Sequence, residues 1–435
     1  MSGVKFGVKS GAKTFGVKTS GLKAPGPAHA AVPARAAHLQ PRGSSQGGLR
    51  QYNERVVLQA VRLHGALPGA EIARLTRLTA QTVSLITKRL LDDGLLRKGE
   101  PQRGKVGQPA VPLSLDPDGA FAIGVNVGRR SMDVLLVDFT GAPRQRWTIA
   151  YRYADPARLV PEIAQRLKDI QRKLGAQRRE RLQGIGIAAP LQMGGWRPLL
   201  GMPAKTAKAW QETDLALEVG RICALPVTLI KDTAAATVAE LVAGHGRALK
   251  SFLYIFVDTF IGGGLVLDSQ LRGGQGGNAG AVGSMPLGLA RADGDAPPAQ
   301  LLSVASLLSL ERAFAAAGLD SSAALDDRAL AAPWRAHTQR WLPEAGAAIA
   351  LAIHQAACLL DLSDVVIDGS FSRALLHALL ASTEAAMAHY SWEGVAAPRV
   401  LAGTIGSDAR ALGGALLPLV AQFAPDRDLF LKLGA

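Results

Sequence analysis

Hydrophobic positions along the chain follow two regimes that change near residue 116. Before it, apolar residues recur at helical spacing. Tyr52, Val56, Val57, Leu58, Ala60, Val61 and Leu63 form a stripe that ends at His64-Gly65. Pro68 opens a second short helix with Ile72, Ala73 and Leu75 inward, and Thr79 is placed to N-cap a third. That third helix turns Val83, Ile86, Leu90 and Leu91 inward and Ala80, Gln81, Thr82, Ser84, Leu85, Thr87, Lys88 and Arg89 outward. Asp92-Asp93-Gly94 ends it. Short strands at Leu95–Lys98 and Val111–Leu115 then flank a Gly-rich basic loop. Three helices followed by a β-ribbon is the layout of a winged helix-turn-helix.

After residue 116 the apolar runs are nearly unbroken, as in buried strands. Phe121–Gly128, Ser131–Phe139, Ile185–Pro190 and Pro226–Asp232 read as strands, with Arg146–Tyr153 as a further candidate. Leu159–Leu174 is an amphipathic helix, and Thr233–Val242 an Ala-rich one. A second set follows. It holds strands Phe252–Val257 and Leu265–Leu267 around the turn Asp258–Gly264, a helix at 347–360, the strand Val365–Ile367 leading to Asp368-Gly369-Ser370, and a helical stretch from Ala409. Two hairpin-plus-helix lobes around a cleft suit a duplicated actin-like fold. The expected class is therefore α/β: an N-terminal winged helix-turn-helix fused to a two-lobed actin-like ATPase, or sugar-kinase-like, body. The expected divisions are a disordered basic arm at 1–50, the reader at 51–116, lobe I at 117–245 with a C-terminal helix from about 400–435, and lobe II at 246–400.

Charge sharpens this division. The 435 residues carry a net +14, but the first 110 hold 18 Lys+Arg against 5 Asp+Glu and the remainder 31 against 30. A polyanion partner is thus implied for the N-terminal quarter alone, and double-stranded DNA is the partner that the helix pattern fits. Residues 1–50 contain no acidic side chain and little periodicity, so they read either as an arm for phosphates or as an unstructured extension. Gln81, Thr82 and Ser84, in the first turn of the third helix, are short polar groups able to reach base edges in a major groove. Lys88 and Arg89 suit backbone contacts, and Arg103 and Lys105, on the wing tip, suit phosphates or a minor groove. The other reading of this region is a small structural lobe with a solvated basic face. Two cysteines, Cys223 and Cys358, are too few for a disulfide scaffold or a thiolate zinc site. No sequence run of 18 to 20 apolar residues stands out, so no membrane partner and a cytoplasmic location are expected.

The residues carry a family resemblance. Glu71–Ser84, Gly94-Leu95-Leu96 and Gly107-Gln108-Pro109, then Gly186–Pro190, Trp210 with Leu225-Pro226-Val227, Lys231–Ala236, Ile261–Val266 and Leu271–Gly280 follow in order the motifs of the ROK family (repressor, open reading frame, kinase). From Gln51 onward the chain resembles that family's repressor branch. The resemblance implies an effector site in the cleft at Asn126, Lys231, Asp232, Gly262, Gly263 and Gly264, with a sugar-like small molecule as ligand. It also implies a homodimer or homotetramer on a palindromic operator, and control of carbohydrate uptake or catabolism genes.

Departures from the family pattern limit the chemistry. Kinases of the family begin their phosphate turn with Asp, where this chain has Asn126-Val127-Gly128-Arg129-Arg130. Asp232 stands where the kinases place their base, yet a base without a phosphate cradle supports no transfer. It is a vestigial candidate, and the same residue fits a cap on the Ala-rich helix. Lys231 replaces the usual Asn. The Glu and His that grip a sugar after Ala279-Gly280 are missing, and Ser284–Leu302 lacks the family's zinc cysteines. No enzyme, no cofactor and no metal is expected. The ligand is expected to differ from a plain hexose, and Lys231, Arg129 and Arg130 favour an anion. A sugar kinase, and a regulator that has lost its effector, are the alternatives.

Overall fold

The computed structural model describes residues 46–101, 111–194, 201–290 and 297–425. Residues 1–45 of the arm expected at 1–50, and the wing tip with Arg103 and Lys105, lie outside the described residues; residues 46–50 are helical instead of disordered.

Three helices, α1 (Gln46–His64), α2 (Gly69–Thr76) and α3 (Ala80–Asp92), precede a two-stranded antiparallel ribbon of β1 (Leu96–Lys98) and β2 (Leu113–Leu115). Helix α1 begins six residues before the apolar stripe does. A helix, once nucleated, extends at one hydrogen bond per added residue, so its end need not coincide with its buried face. Val57, Val61, Ile72, Val83, Ile86 and Leu90 are buried together. Leu67 and Leu113 exchange backbone hydrogen bonds of 3.0 and 2.8 Å, which ties the helix-turn-helix to the ribbon.

The body contains two five-stranded sheets with the same plan. In lobe I, β3 (Phe121–Val127), β4 (Ser131–Asp138), β5 (Pro143–Ala150), β6 (Leu182–Ala189) and β7 (Val227–Lys231) lie in the order β5-β4-β3-β6-β7. In lobe II, β8 (Phe252–Val257), β9 (Gly262–Leu267), β10 (Gln270–Arg272), β11 (Asp364–Gly369) and β12 (Arg399–Ala402) lie in the order β10-β9-β8-β11-β12. In each, the first strand is central, the next two add antiparallel and the last two parallel. Helix α4 (Pro156–Arg179), broken at Gly175, buries Leu159, Ile163 and Leu167 against the lobe I sheet. The helices at Ala204–Glu212, Leu215–Ile222, Leu307–Ala316 and Arg373–Met387 add to those expected from the sequence.

Two helices join the lobes. Helix α5 (Asp232–Ala243) follows β7, and helix α6 (Ala409–Phe423) closes the described chain. Helix α6 lies almost on the backbone of the lobe I sheet. A Cβ at Gly124 or Gly186 would run into the carbonyls of Ala411 and Gly414, so glycine is needed at both crossings. The long helix Arg335–Leu360 differs from expectation: by length and mean hydropathy, 1.3 over its best window, it could cross a membrane. Its Ala, Ile and Trp residues instead enter the lobe II core, and Ala-rich stretches of this kind score as apolar without forming an unbroken run of large residues.

The reader is not a loose appendage. Its core residues join those of lobe I and helix α6 in one apolar cluster that includes Phe139, Leu412, Leu416 and Leu419. Arg181 donates to the carbonyls of Asp93, Gly94 and Gly119, Arg62 to that of Phe139 at 2.9 Å, and Arg247 to that of Leu63 at 2.6 Å. Burial lowers the pKa of Arg62 to about 10, partly opposed by Asp138.

Candidate functional site

Two regions bring candidate residues together. The first is helix α3. Thr79 caps it, its hydroxyl accepting from the Thr82 N–H at 3.2 Å and sharing a hydrogen bond with the Thr82 hydroxyl at 2.8 Å. Thr82 is therefore half-buried and engaged, while Gln81, Ser84 and Lys88 are exposed. Leu85 is 63% exposed between them, and an apolar group so placed can meet a thymine methyl. Two expectations need adjusting. Thr87 is buried, its hydroxyl returned to the Val83 carbonyl at 2.8 Å, because its position in the helical turn falls beside Val83 and Ile86. Arg89 is paired with Glu54 of α1 at 2.5 Å. That acidic partner lies 35 positions away, so local spacing could not reveal it. Arg77, Arg97 and Lys98 are also exposed on the reader. Arg77 takes φ 57° at the end of α2, which turns the chain toward α3.

The second region is a cleft of about 340 Å³ between the lobes. Its lining includes Lys231 and Asp232 from the β7–α5 junction, Gln192, Asp258 and Phe260 after β8, Gly262, Asn278 and Arg410 of α6. Lys231, Asp232 and Gly262 thus face the cleft. Asn126 does not: it is fully buried and its amide donates to Asp133 at 3.1 Å. Gly263 and Gly264 also stand back from it. The Gly263 carbonyl accepts from Lys231 Nζ at 3.2 Å and Thr233 Oγ1 at 2.8 Å, which draws β7 of lobe I toward β9 of lobe II. At Gly264 a Cβ would collide with Thr237 of helix α5. Gly264 thus serves strand-to-helix packing, and at Gly263 a Cβ would run into the Tyr254 carbonyl of the neighbouring strand, roles that spacing alone does not separate from ligand contact.

Arginines dominate the electrostatics. Arg129 leaves the turn after β3 and lays its guanidinium 4.7 Å from the centre of the Phe260 ring. Its Nη1 is buried without a hydrogen-bond partner among the described residues. Burial lowers its pKa, with Asp232 and Asp258 acting the other way. Burial likewise lowers that of Lys231 against the attraction of Asp232. Arg130 turns out of the cleft and pairs with Glu311 of lobe II at 2.5 Å, so it is not one of the cations lining it. Arg410 is paired with Asp258 and donates to Ser370 at 3.2 Å. Asp232 does not take the cap position of its other reading: Lys231 stands there without a side-chain cap bond, and Asp232 is the first residue of helix α5, its Oδ1 accepting the adjacent Thr233 N–H at 2.8 Å.

Arg410, Asp258, Phe260, Gln192 and Asn278 are cleft residues that motif reading missed. Arg410 left one signal, a lone charge in the apolar Gly/Ala run from Ala409 to Leu417. Asp258 could be located only as part of a turn. Among the described residues no group of three or more His, Cys, Asp or Glu is placed to hold a metal ion.

Comparison with known proteins adds a frame. The ROK family profile matches residues 122–420. An uncharacterised protein of Sinorhizobium fredii is 27% identical over 319 residues, covering 73% of this chain and 78% of its own length. The xylose repressor of Caldicellulosiruptor bescii is 24% identical over 54% of this chain, and the Escherichia coli DNA-binding transcriptional dual regulator NagC is 24% identical over 58%. The matches span only 58% and 63% of those two proteins. A solved structure of a ROK family transcriptional regulator, a homologue of the E. coli Mlc protein, superposes with a TM-score of 0.63 at 20% identity, over 88% of this chain and 99% of its own. A ROK glucokinase from Streptomyces griseus superposes at 0.54 and 20% identity over 68% of this chain and 99% of its own.

Proposed function

Because this chain belongs to the ROK family, we propose that it is a sequence-specific, DNA-binding transcriptional regulator, without phosphoryl-transfer activity, whose interlobe cleft takes a small effector. The observation that carries this reading is the exposed face of α3, which presents Gln81, Ser84 and Lys88 from a rigid three-helix core that also carries a ribbon. Relatives whose names make them repressors of xylose or N-acetylglucosamine genes favour carbohydrate genes as the targets. Gln81 and Ser84 would read base edges, while Lys88 and Arg77 would meet phosphates. Arg103 and Lys105 of the wing would add contacts beside them. A palindromic operator would take two such helices from a homodimer or homotetramer.

Three features of the body speak against kinase chemistry. Asn126, at the position of the family's Asp, is fully buried and donates its amide to Asp133. The adjoining turn is fixed by the Gly128 N–H on the Ser131 carbonyl at 2.9 Å and by the Tyr151 hydroxyl on the carbonyls of Gly128 and Ser131, each at 2.7 Å. The Arg129 side chain covers Phe260 where open space would be needed.

Helix α6 is suited to connect cleft and reader. Arg410 stands at its cleft end, and at its other end Phe423 meets Phe139 edge-on at 4.7 Å while Ala424 accepts from Arg55 of α1 at 3.4 Å. Its 15 residues span about 22 Å, with Pro418 inside the helix. A ligand that pulls on the Arg410–Asp258 pair would tilt this helix under the reader and shift the balance between two placements of α3.

Selection of the full chain against a random duplex library, followed by footprinting, tests the reading. The expected result is one motif made of two half-sites. Enrichment of no motif would overturn it, and ATP turnover dependent on Asp232 would restore the kinase reading.

A further inference from the structure

The cleft holds more positive than negative charge. Arg129, Lys231 and Arg410 line it against Asp232 and Asp258. Arg410 is neutralised by Asp258. Among the described residues neither Arg129 nor Lys231 has a carboxylate within ion-pair distance, and Lys231 spends one proton on the Gly263 carbonyl. Arg129 is the less satisfied of the two. Its guanidinium is held flat on Phe260, and its buried Nη1 has no acceptor. A buried donor left unmade, on a cation withdrawn from water, is costly unless something accepts from it and balances it. Burial bears on Arg129 in the same sense, lowering its pKa.

We propose that the cleft binds a small polyhydroxylated monocarboxylate, a sugar acid, whose carboxylate is received by Arg129 and whose hydroxyls meet Asp232, Gln192 and Asn278. This deepens the effector reading above and rests on it. The net charge of the lining sets the valence. One negative charge brings the site to neutrality, whereas a phosphate monoester, with its charge of about −1.5 to −2, would leave it negative beside Asp232 and Asp258. The planar guanidinium matches a carboxylate with two parallel N–H donors, and the ring beneath it fixes its plane in advance. The volume of about 340 Å³ admits a single hexose-sized ring with its ordered water. Asp232, no longer a base for transfer, becomes an acceptor for ligand hydroxyls, and the bond it accepts from the Thr233 N–H keeps it in place.

Calorimetry on the full chain tests this with glucuronate, galacturonate and gluconate, their neutral parents glucose and galactose, and glucose 6-phosphate. Expected is binding of at least one acid, at least about tenfold tighter than its neutral parent, the size of a charge-assisted hydrogen bond. Arg129→Met should erase that preference while leaving the weak binding of the neutral sugar, and Arg129→Lys should restore part of it. Thermal unfolding of both variants checks that the fold survives. Preference for a neutral sugar would overturn the sugar-acid assignment and leave the effector reading standing. Preference for the phosphate would likewise overturn the sugar-acid assignment and leave the effector reading standing. Acid binding that is indifferent to Arg129→Met would remove Arg129 from the site. No binding by any member of the panel would overturn both this inference and the effector reading.

Discussion

Helix α3 and the interlobe cleft carry their chemistry in opposite ways. Helix α3 displays the side chains of Gln81, Ser84 and Lys88 on an open face over a core of Val83, Ile86 and Leu90. The cleft instead withdraws its charged groups. Arg410 is 8% exposed and pairs with a carboxylate from the other lobe, and Arg129 rests on an aromatic ring supplied from there. An exposed polar side chain contributes little to stability and much to a bound partner. A buried charge is tied into the fold before it can serve a ligand, so damage to it shows first as lost stability. The reader should therefore tolerate substitution and lose only affinity, whereas the cleft should not.

The strongest test of that contrast is Arg410→Met. It leaves Asp258, a half-buried carboxylate on the cleft wall, without its ion-pair partner and should cost about 3 kcal/mol in urea unfolding. Adding Asp258→Asn should recover much of the loss, and a single variant as stable as the parent would erase the distinction between the two regions. Gly186→Ala comes next. The new methyl meets the Gly414 carbonyl of helix α6 and should cost about 1–3 kcal/mol, again with no direct effect on DNA contacts. On the reader, Gln81→Ala should leave unfolding within about 0.5 kcal/mol of the parent. It should also remove about 1–3 kcal/mol of discrimination at one base pair per half-site in gel-shift titrations. Equal weakening on all sequences would reassign Gln81 to the backbone. Lys88→Ala should weaken every sequence alike and lower the salt slope of binding by about 1. The smallest effect is expected from Glu54→Gln. Breaking its exposed pair with Arg89 should change stability by less than about 1 kcal/mol while freeing a cation for phosphate, seen as slightly tighter binding at low salt.

The two regions were also unequally legible in the sequence. For α3, the cap at Thr79, the inward stripe and the exposed polar turn are all properties of one helix, and a periodicity of 3.6 residues expresses them locally. The failures there are Thr87, one position on the boundary of the buried face, and Arg89, whose partner sits on another helix. The cleft followed a different rule. Lys231, Asp232 and Gly262 face it as their motifs imply, but Asn126 is turned to Asp133. Gly264 is small because Thr237 crosses it. Arg410 and Asp258, 152 positions apart, reveal their relation only once helix α6 lies across both lobes. No window along the chain contains both members of that pair.

What the sequence determined by itself is the set of parts: a basic helical module, two repeats of buried strands around turns, and the concentration of net charge in the first quarter. These follow from local spacing and composition, which act within a turn or a strand. Tertiary structure alone decided how the charges of the cleft are spent. Arg130 goes to Glu311, Arg410 to Asp258, and Arg129 is left on Phe260 without a carboxylate. The reason is physical: the cost of burying a charge depends on what else reaches the same few ångströms, and in this protein those partners come from opposite lobes.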